Sequence, residues 1–253
     1  MSARAAFATA IRWAADPARF AREALGFDPD DWQRQVLMSD SKRMLLNCSR
    51  QSGKSTTAAA LALHRAIFYP GSLVLLVSPS LRQSGELFKK VIAHLKALEM
   101  APPIIEENKQ TLTLKGGSRI VSLPGTEGTI RGFSGASLII EDEAARVEDD
   151  LHLAIRPMLA VSGGRLILAS TPFGPRGHFF EAWEGGPEWE RIEIPATKCP
   201  RISPEFLAEE RAAMGDWWFR QEYGCEFVAS DDQIFTHELI EGALCDDIPL
   251  CIY

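Results

Sequence analysis

The chain has 253 residues, 46% hydrophobic and 24% charged, with a net charge of -7, which suits one large α/β domain or a core plus a small appendage. No apolar run reaches the roughly 18 residues of a membrane span, and the acidic balance argues against a surface that grips nucleic acid everywhere, while leaving room for a local basic patch or a channel formed on assembly. Cysteines at 48, 199, 225, 245 and 251 form no C-x-x-C pair and no Cys/His spacing suited to zinc, which points to free thiols in a reducing cytosol.

The N-terminal "MSARAAFATAIRWAADPARF" has its apolar positions broken by Arg12, Asp16 and Arg19 and predicts an amphipathic helix rather than a signal peptide. Next, "DPDDWQRQVL" places Trp32 and Gln33 ahead of the first core strand. A glutamine amide can donate to and accept from an adenine edge, and an aromatic can stack beside it; a plain helix surface is the other reading. The run "RMLLNCS" predicts a buried strand, and "KSTTAAALALHRAIF" a helix ending before Pro70-Gly71. "SLVLLVSPS" is a β-rich run of the kind buried in parallel sheets. "SGELFKKVIAHLKALEM" carries apolar residues on one helical face up to Pro102-Pro103, and "TLTLKGGSRIVSL" alternates around Gly116-Gly117 as a β-hairpin does. "SLIIEDEA" and "GRLILASTP" predict two further buried strands with a helix, "VEDDLHLAIRPMLA", between them. From Ser203, "SPEFLAEERAAMGDWWFRQEYGCEF" reads as a helix capped by Ser203 with Pro204 at its first position. Alternating strands and helices predict a mostly parallel sheet covered on both faces.

Between the first strand and its helix, "CSRQSGKST" is a phosphate-binding loop whose usual first glycine is Cys48. Ser49, Arg50, Gln51, Ser52, Gly53, Lys54, Ser55 and Thr56 form the candidate cradle. Gly53 sits where backbone must approach phosphate oxygens and start a helix. Lys54 supplies charge to the β/γ-phosphates, and the Ser55 hydroxyl suits Mg²⁺. The missing glycine touches only the start of the loop, where a small residue fits. The strand "SLIIEDEA" ends in Asp142-Glu143, as a Walker B element requires: Asp142 for the Mg²⁺ shell, Glu143 to polarise the attacking water. Glu141 stands where an apolar residue is expected, and the sequence gives no reason for it. Ser170 and Thr171 end the strand "LILASTP", where ligands bind in open α/β sheets. They fit a γ-phosphate sensor or a simple capping turn.

Together W-Q at 32–33, "SRQSGKS" at 49–55, "IRG" at 130–132, "IIEDEA" at 139–144 and "STP" at 170–172 resemble the large terminase subunit, the ATPase that packages DNA into tailed-virus capsids. The resemblance spans roughly residues 30 to 175, and the helical stretch after 200 looks like that family's lid. It implies an α/β P-loop NTPase of the ASCE, RecA-like type: a mostly parallel sheet flanked by helices, with a small C-terminal helical lid subdomain. On this reading residues 1–200 are the ATPase core with an N-terminal adenine-binding segment, and 201–253 are lid and tail. ATP and Mg²⁺ are the implied cofactors. Lys54, Ser55, Asp142 and Glu143 match the catalytic motifs, Ser170 and Thr171 the coupling motif, and Gln33 the adenine contact. Arg50, inside the loop, and Arg131, in the Gly-rich "TEGTIRGFSG", are the two candidates for the arginine that completes the site. Implied partners are double-stranded DNA, the capsid portal and the small terminase subunit. The family also implies a homo-oligomeric ring on assembly, with a monomer as the isolated alternative, working in the host cytoplasm with no membrane.

One departure is expected: the nuclease domain of that family has no counterpart here. Asp231, Asp232, Asp246 and Asp247 lie in short pairs with no β-rich frame and read as a solvated tail. Two other functions fit some of these features. A superfamily 2-like helicase shares the glutamine, D-E and an S-T-P-like motif but needs a second RecA-like domain. A nucleotide-dependent assembly module without turnover would not need Lys54, Asp142 and Glu143 intact.

Overall fold

The computed structural model describes residues 3–123, 132–186 and 188–229. Eight strands form one sheet: β1 (Arg43–Cys48), β2 (Leu73–Val77), β3 (Ile104–Glu107), β4 (Thr111–Leu114), β5 (Arg119–Leu123), β6 (Leu138–Asp142), β7 (Arg165–Ser170) and β8 (Glu190–Ile194). Their spatial order is β3-β4-β5-β2-β6-β7-β1-β8. From β5 to β8 every pairing is parallel. The hairpin read around Gly116-Gly117 is β4 with β5, and β4 also pairs antiparallel with β3. Strand β7 lies between the phosphate-loop strand β1 and the D-E strand β6. This is the additional strand of the ASCE arrangement.

Side chains alternate across a strand, and the two faces collect separate cores. Met44 and Leu46 of β1, Val74 and Leu76 of β2, Leu138 and Ile140 of β6, and Ile167 of β7 share one cluster. Leu45, Leu75, Ile139, Leu166 and Leu168 join the other. The first face is covered by α2 (Pro17–Ala24), α3 (Asp31–Met38), α4 (Lys54–Phe68) and α5 (Leu81–Ala97). The second is covered by α6 (Asp149–Ile155) and α7 (Gly177–Glu184). Asp142 follows Ile140 on the α4 face, and Glu141 follows Ile139 on the α6/α7 face. The D-E strand therefore aims neighbouring carboxylates at opposite sides of the sheet.

The N-terminal stretch is two helices, α1 (Ala3–Ala15) and α2. Asp16 divides them: its carboxylate accepts from the Arg19 backbone N–H at 2.8 Å, and Pro17 opens α2. Phe20 of α2, 1% exposed, meets His64 and Phe68 of α4 edge-on, and truncating it to Ala would cost roughly 3–5 kcal/mol. The single helix expected from Ser203 is also two, α8 (Pro204–Met214) and α9 (Asp216–Glu222). Gly215 separates them with φ 81 and ψ 162, a conformation outside the helical region that glycine accepts freely. The Ser203 cap holds, its Oγ accepting from Phe206 N–H at 3.2 Å. Pro157 turns the end of "VEDDLHLAIRPMLA" into a 3₁₀ turn over Arg156–Leu159. Among the described residues no helix is long and apolar enough to cross a membrane. Cys48, Cys199 and Cys225 are buried free thiols. Arg131, Cys245, Cys251 and the four C-terminal aspartates lie outside the described residues.

Candidate active site

The phosphate loop runs from the end of β1 into α4. Cys48 is still a strand residue, in register with Ile194 of β8 and fully buried, so nothing at that position requires glycine. Burial pushes its thiol up to about 12 against the pull of Lys54, leaving a neutral, space-filling side chain. The loop turns further along, at Gln51 (φ 58) and Gly53 (φ 100). Its first residues are pinned by backbone bonds: Ser49 N–H to Ile194 O and Arg50 N–H to Glu222 O, each 2.9 Å. A Cβ on Gly53 would come within 2.7 Å of Gln33 Nε2. Gln33 is fully buried; its Oε1 accepts from the Asp30 backbone N–H at 2.9 Å, while its Nε2 has no partner. Trp32 belongs to the core cluster rather than to the cleft wall. Arg201, just before α8, clamps the loop from outside by donating to Ser52 O at 2.9 Å and to Asp30 Oδ1 at 2.8 Å.

The carboxylates of β6 meet the loop at the C-terminal edge of the sheet. Lys54 Nζ lies 2.5 Å from Glu143 Oε1. Burial opposes the lysine charge, but Asp142 and Glu143 outweigh it and raise the pKa, so Lys54 stays protonated. Ser55 Oγ donates to Asp142 Oδ2 at 3.4 Å, and Asp142 Oδ1 is buried without a partner. Burial raises the Asp142 pKa despite Lys54. A buried, half-satisfied carboxylate beside a helix-opening hydroxyl has the oxygen chemistry that a hard divalent cation takes. Glu143 itself is left-handed at φ 59, ψ 39, a strained setting for a non-glycine residue that costs on the order of 1–3 kcal/mol.

Three contributors lie outside the sequence motifs. Arg146, one 3₁₀ turn beyond Glu143, donates from Nη1 to Thr171 Oγ1 at 2.9 Å and to Glu143 Oε2 at 3.3 Å. Its Nη2 reaches Glu222 Oε1 of α9 at 3.4 Å, and its guanidinium lies over the Phe173 ring. Glu222 also accepts from Arg50 Nε at 2.5 Å, so the arginine inside the loop is tied to α9. Lys90 of α5 projects into the same space. The three-residue spacing from Glu143 is a readable signal for Arg146; Lys90 and Glu222 have none. Ser170 Oγ accepts from Ala145 N–H at 3.1 Å and donates to Thr171 O at 2.7 Å, bracing the turn after Glu143. The result is a cleft of about 470 Å³. Residues 49–56, Gln83, Lys90, Glu143, Arg146 and Thr171 line it.

The family model for the N-terminal part of the T4likevirus-type terminase large subunit matches residues 45–241. The chain belongs to the large terminase subunit family. Thermus phage G20c has a terminase large subunit 29% identical over 250 residues, covering 85% of this chain and 52% of that protein. The chain thus spans about half the length of the curated relatives it matches. The large terminase ATPase domain of Thermus phage P74-26 superposes with a TM-score of 0.74 at 25% identity, over 84% of this chain and 99% of that one. A large terminase from a thermophilic bacteriophage, solved in complex with ADP, shares the fold at 13% identity and a TM-score of 0.61, over 78% of this chain and 51% of that one. This chain therefore corresponds to the ATPase portion of a large terminase.

Proposed function

We propose that this domain hydrolyses ATP to drive double-stranded DNA into a viral capsid. The observation that carries the reading is the convergence of Lys54, Ser55, Asp142 and Glu143 at one edge of a sheet with β7 between their two strands. The loop N–H groups and the α4 N-terminus cradle the phosphates, and Lys54 leaves Glu143 to meet them. Ser55 and Asp142 would hold Mg²⁺, which would neutralise charge on the β/γ oxygens. Glu143 orients the attacking water, and Arg146, itself anchored on Thr171, holds the Glu143 carboxylate in place directly. Gln33 offers its unpartnered Nε2–H to the adenine edge, while the buried Trp32 fixes the helix that presents it. Ser170 and Thr171 feel the loss of the γ-phosphate through the turn they brace. The role of completing a neighbouring subunit's site is assigned to Arg131, because Arg50 is engaged by Glu222 of its own chain.

The assembly fitting this chemistry is a homo-oligomeric ring on the capsid portal, loaded by the small terminase subunit in the host cytoplasm. Residues 1–200 form the motor core and 201–253 the lid and tail. DNA cleavage is not assigned to this polypeptide. The test is phosphate release with Mg²⁺ and ATP, with and without DNA and portal. Stimulated release is expected, with Lys54→Ala losing nucleotide binding and hydrolysis together. Nucleotide binding with no release in the assembled state would replace the motor by an assembly module, and strand separation without capsids would replace it by a helicase.

A further inference from the structure

Glu141, unexplained in the sequence, is fully buried on the face of β6 opposite the nucleotide. Its two oxygens meet two histidines from different helices. Oε2 lies 3.1 Å from His152 Nδ1 of α6, and Oε1 lies 2.6 Å from His178 Nε2 of α7. The two imidazoles are stacked with centroids 4.1 Å apart and planes at 13°. The other nitrogen of His178, Nδ1, lies 2.9 Å from Asp149 Oδ1, and the same oxygen accepts from the His178 backbone N–H at 2.8 Å. Both histidine side chains are less than a tenth exposed, while Asp149 is 59% exposed and opens the cluster to solvent.

A buried carboxylate needs a compensating charge, since its desolvation costs several kcal/mol. A proton on one ring can supply it, but not on both, because two imidazolium rings stacked at this distance repel each other. A single divalent ion supplies it with both rings neutral. His178 then ligates through Nε2 and still donates Nδ1–H to Asp149, the carboxylate–histidine–metal arrangement that fixes tautomer and ring orientation. The three ligand atoms already lie within 4.8 Å of one another, and ligation at about 2.0–2.2 Å needs the widest pair to close to below roughly 4.4 Å. Two imidazole nitrogens and one carboxylate oxygen suit zinc and its first-row neighbours, not the hard Mg²⁺ of the nucleotide face.

We propose that Glu141, His152 and His178 bind one divalent transition-metal ion of the zinc class, with Asp149 as the outer carboxylate. The ion ties the D-E strand to α6 and α7, and so holds the backbone that carries Asp142 and Glu143 from behind. The site is independent of the packaging reading and needs no nucleotide.

The test uses the full chain, nucleotide-free and stripped with chelator, then equilibrated with Zn²⁺ alone. Stoichiometric zinc by elemental mass spectrometry is expected, together with a higher Tm than the stripped protein. Replacing Zn²⁺ by Co²⁺ should give the visible absorption of a low-coordinate N/O site. His152→Gln with His178→Gln should abolish all three. Asp149→Asn, at an exposed residue that leaves the core intact, should weaken zinc binding about 10–100-fold without changing the circular dichroism spectrum. Wild-type zinc content no greater than that of the double histidine variant would overturn the proposal. Should that variant fail to fold, unchanged zinc affinity in Asp149→Asn would overturn it.

Discussion

Replacing Glu143 by Gln removes one negative charge from the cleft and keeps its shape. In the wild-type chain Lys54 Nζ sits 2.5 Å from Glu143 Oε1, so a nucleotide that takes Lys54 must first break that pair. The two side chains are 12% and 23% exposed. At an effective dielectric of about 20, a pair of unit charges roughly 4 Å apart attract by about 4 kcal/mol. A glutamine oxygen would still accept from the ammonium, and a hydrogen bond to a charged group retains about 1.5–3 kcal/mol. The difference, about 1–2.5 kcal/mol, no longer opposes phosphate binding, and affinity for ATP should rise roughly 5–70-fold. Turnover should fall about 10²–10⁴-fold, because the amide cannot take the proton of the attacking water. Equilibrium titration with a fluorescent ATP analogue and steady-state phosphate release read the two effects separately. Near-wild-type turnover would refute Glu143 as the water-orienting group, and unchanged or weaker affinity would refute the competition for Lys54.

Gly53→Ala places a Cβ 2.7 Å from Gln33 Nε2 at φ 100; urea unfolding should show a loss of about 1–3 kcal/mol, along with weaker nucleotide binding. Arg131→Ala should reduce stimulated hydrolysis by about 10³–10⁵-fold with nearly unchanged affinity, and mixing it with Glu143→Gln subunits in the assembled ring should restore some activity. Normal turnover by Arg131→Ala would move the role to Arg50. Burial lowers the pKa of His64, whose Nε2 lies 2.9 Å from Trp13 O. Its neutral form therefore contributes stability above the ordinary histidine value of about 6.5, and this is lost as pH falls through the lowered one. The Tm of His64→Gln should accordingly depend less on pH below neutrality than that of the wild type; an identical dependence would refute the assignment.

What can be read from the sequence is local. The five buried parallel strands β1, β2, β5, β6 and β7 show as apolar runs or as half of a hairpin, and Lys54, Ser55, Asp142 and Glu143 sit at their ends. The edge strands β3 and β8 are not legible, for a physical reason. Residues Ile104–Glu107 of β3 are exposed throughout, and β8 buries only Ile192 and Ile194, so neither carries the hydrophobic signature of a strand. Gly215 is visible as a residue, but glycine also occurs inside helices, and only tertiary packing decides that the chain breaks there. The partners of Glu141 lie 11 and 37 residues away, and Glu222 lies 76 residues beyond Arg146. No local periodicity encodes such pairings; they arise when the sheet brings α6, α7 and α9 to its edges. A charged residue in an apolar strand is itself the readable sign that such a partner has to exist.

The charges of the cleft form an alternating series: Lys54, Glu143, Arg146, Glu222, Arg50. Glu143 is held by Lys54 and Arg146, and Glu222, 7% exposed at its side chain, by Arg146 and Arg50. On the proposed reading, a nucleotide's phosphates compete with Glu143 for Lys54, at the first link. Glu143 still keeps Arg146, so the carboxylate is freed on the side facing the phosphates and remains anchored on the other. Arg146 in turn bridges the turn braced by Ser170 and Thr171 to α9, and α9 grips the loop through Arg50 at both backbone and side chain. Each contact is short-ranged and partly screened, so none alone transmits much. Their sharing of partners is what matters: a cation that leaves one carboxylate changes how strongly the remaining cation is held. Loop, D-E strand and C-terminal helices are thereby one electrostatic unit, and the loop's start needs no glycine because Ile194 and Glu222 already fix its first two residues.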